Sequence, residues 1–228
     1  MKRSKRYDKS RELVDSQKLY GINEAVELLK QLPNTKFDQT VDLTVKVGLT
    51  GQKEIIRATV NFPHQFGGSK KVAVFTVGEK AKIAKEAGAD FVGGEDLVEK
   101  IKGGWLDFDV VMATPDMMAL VSKLGKILGP KGLMPNPKNE TVTNDLARVI
   151  KEIKSGRVDI KSGEDGVMHV GIGKLSYNTE AILENFDAVF TSISKTGALL
   201  RLKGVTIAAT MSPGIKINPS SIKAGEEN

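Results

Sequence analysis

Pro63-His64-Gln65-Phe66-Gly67-Gly68-Ser69-Lys70-Lys71-Val72-Ala73-Val74-Phe75-Thr76-Val77 is where the chain changes style. After the two glycines, Val72 to Val77 is an almost unbroken apolar run, the pattern of a parallel strand covered on both faces. Alternating units follow it. A helix is predicted from Glu79 to Ala87, ended by Gly88, and a short strand over Ala89 to Val92. Glu95 to Lys102 reads as a helix with acids at its start and lysines at its end, matched to the helix dipole and stopped by Gly103-Gly104. Val110 to Ala113 is the next strand, and Thr114-Pro115-Asp116 opens another helix with Thr114 as cap. A last helix covers Asn144 to Lys154. Strand and helix alternating at this spacing predict a small doubly wound parallel sheet.

Outward from that block, both chain ends follow a different rule. Asn23 is placed to cap a helix running to Leu32, with Ala25, Val26, Leu28, Leu29 and Leu32 as its apolar face and Pro33-Asn34 as its stop. Val41, Leu43, Val45 and Val47 alternate with polar residues, which marks a strand with one buried and one wet face. A second strand is expected over Glu54 to Asn61, with Thr50 to Lys53 as the turn between the two. Past Ser155-Gly156 this style returns. Short strands are predicted at Val158 to Ile160 and Val167 to Gly171, joined by a Gly163 to Gly166 turn. Asn178 to Ile193 is an amphipathic helix carrying Ile182, Leu183, Phe186, Val189, Phe190 and Ile193 on one side. Val205 to Met211 and Ile215 to Ile217 read as closing strands, and the polar tail from Ser220 is expected to fray. One domain built from residues 1–67 and 159–228, interrupted by an insert over 68–158, accounts for the pattern. Two chain crossings then join the domains, so hinge motion is expected.

With 40% hydrophobic and 27% charged residues the chain has the balance of a folded protein, not of a disordered one. Cysteine is absent and only His64 and His169 are present, which excludes disulfides and thiolate metal sites and leaves no ready zinc site. No apolar run spans a bilayer and the basic N-terminus lacks the apolar core of a secretory signal, so a soluble cytoplasmic protein is expected. The net charge of +6 hints at an anionic partner. It is unevenly spread: Lys and Arg outnumber Asp and Glu by 12 to 8 in residues 1–67 and by 15 to 12 in 68–158, but number 7 against 8 in 159–228. A solvated basic surface would explain as much.

The segment Lys123 to Lys138 says more. Lys123, Lys126, Lys131 and Lys138 stand in a stretch without an acid between Asp116 and Glu140. Gly125, Gly129 and Gly132 would let backbone approach a ligand closely, while Pro130, Pro135 and Pro137 stiffen the loop. Neither nucleotide fingerprint is present: there is no Gly-x-x-x-x-Gly-Lys-Ser/Thr, and no Gly-x-Gly-x-x-Gly follows Val72 to Val77. A rigid surface loop with solvated lysines is a serious alternative, but so long an acid-free stretch in a stiff loop also suits a phosphate backbone.

Gly129-Pro130-Lys131-Gly132-Leu133-Met134-Pro135-Asn136-Pro137-Lys138 resembles the signature of the ribosomal protein L-one family, bacterial type. Thr35 to Val41, Ala87 to Gly94, Phe108-Asp109-Val110 and Ala209-Thr210-Met211 resemble the same family in the same order, so the likeness covers about residues 5 to 218. The resemblance implies an α/β fold in which an α+β split β-α-β domain is interrupted by a Rossmann-like doubly wound α/β domain. It implies binding of large-subunit rRNA at the mobile lateral stalk, contact with exit-site tRNA on its release, repression of translation from the protein's own mRNA, and no cofactor. A monomer is expected when the protein is free.

By resemblance the RNA contacts are Glu27, Lys36, Phe37, Thr40, Thr210, Met211 and Ser212, with Lys123, Lys126, Lys131, Asn136 and Lys138 as secondary RNA or cleft contacts. These residue types suit RNA, since lysine meets phosphate, threonine bonds a 2′-hydroxyl, and Phe37 or Met211 packs on sugar or base. On the residues alone Phe37 reads as core, Thr210 and Met211 as a strand end, and His169 as a structural hydrogen bond. Ser212 stands where the family usually has glycine, and Ala209 where threonine is common, so if RNA backbone approaches that turn closely, Ser212 must fit where only hydrogen normally sits. Two rivals remain open. A nucleotide-binding α/β enzyme rests on fold analogy, and a Ser–His–Asp site needs no closeness in sequence. An RNA-binding repressor outside the ribosome would use the same surface.

Overall fold

Ser4 accepts a hydrogen bond from the Tyr7 N–H and so caps α1 (Lys5–Leu13). It opens a computed structural model that describes residues 4–33, 35–48, 55–68 and 70–222. α2 (Ile22–Gln31) starts from Gly21, whose carbonyl accepts from the Ala25 N–H to close the first turn. Asn23, the expected cap, therefore lies inside the helix; the extended conformation that a cap needs falls two residues earlier. Ala25, Val26, Leu29 and Leu32 are buried as the apolar spacing requires, and Leu28 is partly buried. β1 (Thr40–Val47) buries Val41, Leu43, Val45 and Val47, and β2 (Arg57–Asn61) buries Ala58 and Val60. The expected 50–53 turn lies outside the described residues, and the two strands it was to join enter different sheets.

The inserted stretch holds β3 (Val72–Phe75), α3 (Glu79–Glu86), β4 (Phe91–Gly93), α4 (Glu95–Lys102), β5 (Val110–Ala113), α5 (Met118–Ser122), α6 (Gly125–Leu128) and α7 (Leu146–Lys154). Its sheet is parallel in the order β4-β3-β5. Side chains alternate between two cores. Val72, Val74 and Met112 pack with Ala84, Val149, Ile150 and Ile153, from α3 and α7. Ala73, Phe75, Val111 and Ala113 pack with Leu97, Val98, Ile101, Val121 and Leu128, from α4, α5 and α6. Burial on both faces is the reason β3 reads as a continuous apolar run. Gly88, at φ 97°, ends α3 as a left-handed cap. The helix expected from Thr114 begins as a 3₁₀ turn over Pro115–Met117 without a side-chain cap bond, and α7 is capped by Asp145, which accepts from Arg148 N–H.

The chain then forms β6 (Arg157–Lys161), β7 (Val167–Lys174), α8 (Thr179–Lys195), β8 (Leu202–Ala209) and β9 (Ile215–Ile217). The four-stranded sheet runs β7-β1-β8-β9 with every neighbour antiparallel. β1, from the first part of the chain, is thus held between two strands from the last part, and this pairing makes one folding unit of both ends. α2 and α8 pack together and against the strands, sharing one core with the sheet. The Gly163 to Gly166 turn joins β6 and β7 as expected, closed by the Gly163 N–H donating to the Val167 carbonyl at 2.8 Å, but β6 pairs with β2, and among the described residues a single bridge, Ser162 to Met168, links that segment to β7. The chain leaves this unit through β2 and returns through β6, and Ile56 and Ser162 exchange two 2.9 Å hydrogen bonds beside the pair. Asn185, fully buried on α8, donates to the carbonyls of His64 and Ile172 and accepts the His64 N–H. By contact the chain divides into two units, Met1–Phe66 with Val158–Asn228, and Gly67–Arg157, each division one residue before the expected one.

Candidate nucleic-acid interface

At the Thr40 end of the four-stranded sheet, β1 and the turn after β8 meet through one side chain. Thr210 Oγ1 accepts from Thr40 N–H at 3.1 Å and donates to Thr40 carbonyl at 3.3 Å, and Thr210 N–H donates to the same carbonyl at 3.1 Å. Lys174 Nζ donates to Thr40 Oγ1 at 2.9 Å. Gln39, 3% exposed, accepts the Met211 N–H at 2.9 Å through Oε1, and its own carbonyl accepts from Leu175 N–H. Arg6 on α1 reaches the Met211 carbonyl at 3.3 Å and that of Pro33 at 3.5 Å. Asp38 accepts from Ser176 through both backbone and hydroxyl. Polar groups whose cost of burial would otherwise be felt are here spent on fixing two loops against each other.

The side chains left outside this network are the ones a ligand would meet. Phe37 is 52% exposed and Met211 49% exposed. Phe37 is therefore not the core residue that its place before a strand suggested; burial of that strand begins with Gln39 and Val41. Strand β8 ends at Ala209, so Thr210 and Met211 belong to the turn and not to the strand. Lys36 is exposed. Glu27 is exposed on α2, and no hydrogen bond or ion pair among the described residues joins it to the group. Ser212 fits its turn without a left-handed backbone: its hydroxyl accepts from Ala209 N–H at 2.8 Å and donates to the Pro213 carbonyl at 3.0 Å. That hydroxyl closes the turn.

The open face of the same sheet continues the surface. Thr44, opposite both His169 and Thr206, shares a 3.1 Å hydrogen bond with His169 Nδ1. Asp42 lies two residues along, and burial lifts its carboxyl above the usual range while His169 and Lys174 pull it back. A groove of about 450 Å³ runs over this face, lined by Lys46, Lys203 and Lys216 together with Leu19, Thr44 and Thr206, and by no acid.

The secondary residues belong to the inserted unit. Lys123, Lys126 and Lys131 are exposed there, and the side chain of Lys138 lies outside the described residues. Asn136 is part of the loop's own frame: its N–H donates to Thr141 Oγ1 at 2.7 Å and its carbonyl accepts from Asn139 N–H. The glycines serve the loop as well. Gly132 sits at φ 70°, and a Cβ on Gly129 would lie 2.6 Å from the Gly125 carbonyl oxygen. Close approach is made, but to the chain itself. Glu140, the one non-glycine residue at positive φ among those described, turns its carboxylate onto Arg157 at 3.0 Å, and Glu152 meets the same guanidinium at 2.7 Å.

The sequence reading missed Gln39, Lys174, Arg6 and Asn185. Gln39 had a signal, since it stands on the same parity as Val41, Leu43, Val45 and Val47 and is a polar residue in a buried register. Asn185 sits at helical spacing between Ile182 and Val189 in the same way. Lys174 and Arg6 gave none.

Fold and surface together define a two-unit α/β protein with an exposed, internally braced surface at the end of an antiparallel sheet. The chain belongs to the Ribosomal protein L1p/L10e family, whose model matches residues 28–213. It is 48% identical to the large ribosomal subunit protein uL1 of Thermosipho melanesiensis, and equally to those of Kosmotoga olearia and Thermosipho africanus, in each case over 97% of this chain and 98% of the relative. The chain is accordingly a ribosomal protein with a structural role and not an enzyme. No helix of the described residues is long and apolar enough to cross a membrane.

Proposed function

We propose that this chain is a cytoplasmic constituent of the large ribosomal subunit that binds large-subunit rRNA at the lateral stalk, through Lys36, Phe37, Thr40, Thr210 and Met211. The observation that carries the reading is the Thr40–Thr210 pairing, which leaves Phe37 and Met211 half exposed on loops that hydrogen bonds hold in place. Apolar side chains held rigidly at a polar surface lose little freedom on binding and suit stacking on unpaired bases or sugars. At the same edge the Thr40 hydroxyl, which accepts from Lys174, can still donate its proton, Thr210 sets the edge through its bonds to Thr40, and Lys36 offers a phosphate partner. Glu27 and Ser212 belong to the rim of this surface, Ser212 by shaping its turn.

Lys123, Lys126, Lys131 and Lys138 add phosphate contacts that raise affinity without reading sequence, and Asn136 holds their loop. On the ribosome the stalk so formed assists release of exit-site tRNA. Off it, the same surface binds a similar fold in the protein's own mRNA and represses translation.

A titration of the full chain against a stalk rRNA fragment and an unrelated hairpin of equal length, repeated across salt, tests the proposal. Preference for the stalk fragment that persists at moderate salt is expected. Equal, salt-sensitive binding to both would reduce the surface to generic basic charge. Co-sedimentation with large subunits after a salt wash separates a ribosomal constituent from a free repressor, which would stay in the supernatant.

A further inference from the structure

Within the inserted unit, β3 and β5 are neighbours, and the chain leaving β3 enters α3 on one face of the sheet while the chain leaving β5 enters α5 on the other, so their carboxyl ends form a switch point. Crevices at such a switch point are where open α/β sheets hold small ligands. Here a cleft of about 280 Å³ is lined by Thr76, Val77, Glu79, Lys80, Thr114 and Asp116. Thr76 is 2% exposed, and among the described residues its hydroxyl has no hydrogen-bond partner. A buried hydroxyl without a partner is uncommon and signals a group that something else satisfies. Beside it, α3 starts from Gly78 at φ 68° without a side-chain cap, and none of the described residues lies within 4 Å of where a Gly78 Cβ would stand. Val77 is 60% exposed, an apolar wall open to solvent.

The charges decide the ligand class. Lys80 is already engaged, donating to Asn144 Oδ1 at 2.9 Å and lying 3.8 Å from an Asp116 carboxylate oxygen. Glu79, in the first turn, answers the helix dipole. With two carboxylates against one paired ammonium, a phosphate dianion would meet net repulsion, and a cation would compete with Lys80. Neutral hydroxyls suffer neither penalty: they can donate to Asp116 and accept from Thr76 or Lys80. We propose that this cleft binds an uncharged vicinal diol, one hydroxyl on Thr76 and its neighbour on Asp116, with the ligand's apolar face on Val77. The ligand is a ribose-type sugar, free or carried by a nucleoside.

Adenosine, ribose, AMP and inorganic phosphate titrated into the full-length ¹⁵N-labelled protein test this. Adenosine or ribose is expected to shift the amides of Thr76 to Lys80 and Thr114 to Asp116, adenosine more strongly if the source is a nucleoside and both equally if it is a sugar. AMP should bind no more tightly than adenosine. Thr76→Val, which keeps the shape and removes the hydroxyl, should weaken binding about tenfold, and so should Asp116→Asn at an exposed position that folding does not depend on. No shift at about 10 mM of either diol would overturn the proposal. So would tighter binding of AMP or phosphate, or unchanged affinity in Asp116→Asn.

Discussion

Two regions of this protein do opposite things with their polar atoms. The Gly129 to Lys138 loop is the more distinctive run of residues, yet its glycines, Asn136 and nearby Glu140 are used to hold its own shape. The surface at Thr40 and Thr210 is inconspicuous in sequence and assembled from residues 170 positions apart, and it leaves Phe37 and Met211 half exposed above a closed hydrogen-bond network. The contrast teaches that a distinctive motif can mark the family through an internal constraint, while the proposed recognition falls on side chains left over after the backbone has been satisfied.

Arg157→Met removes a guanidinium 5% exposed that binds Glu140, Glu152 and the Asn139 carbonyl. It should destabilise the protein by about 2–3 kcal/mol, the low side for a broken buried pair because both carboxylates keep contact with water. The check is urea denaturation; an unchanged midpoint would show that the loop does not depend on this clamp. Preference for stalk RNA over a hairpin should be unaffected.

Phe37→Ala should weaken stalk RNA binding by about 1–3 kcal/mol and narrow that preference, with no loss of fold because the ring is half exposed. Full affinity in a folded variant would remove Phe37 from the interface. The lysines should behave differently from Phe37. Lys36→Ala is expected to lower the salt slope of log affinity by about one unit, and Lys123, Lys126 and Lys131 replaced together by up to about three, with the RNA preference kept in both cases. A triple variant that loses preference would mean the loop reads sequence after all.

The smallest effect belongs to Asp42. Burial raises its carboxyl in the folded state, so the folded protein holds that proton more tightly than the unfolded chain does. The associated stability is present in acid, below the unfolded value, and is lost as pH rises through the folded one. Asp42→Asn should therefore raise the midpoint near neutral pH by at most a few tenths of a kcal/mol, since the group is largely solvated, and change nothing near pH 3. A stabilisation of equal size at both pH values would assign the effect to packing and not to the charge.

How much of this is legible in sequence follows from how local each signal is. The apolar run of β3 and the alternation of β1 report burial directly, and both elements are where the pattern places them. The α2 cap is not legible, because Gly21 reaches the extended cap conformation without a side-chain signal, whereas Asn23 advertises a capping ability it does not use. Strand pairing escapes for a related reason. Strands β1 and β2 are neighbours in sequence, but β1 finds β7 and β8 from the far end of the chain, and no local pattern encodes that choice. At the interface, the exposure of Phe37 follows from where β1 begins to bury its residues, which depends on Thr210 and Gln39 meeting their partners.

The most direct test of the central claim is a ¹H–¹⁵N spectrum of the full chain, recorded as the stalk rRNA fragment is added. The first and largest amide shifts are expected on residues 36–40 and 210–212, with weaker, salt-sensitive changes at 123–131. Shifts confined to 123–138, with 36–40 and 210–212 unmoved at saturation, would contradict it and give recognition to the loop.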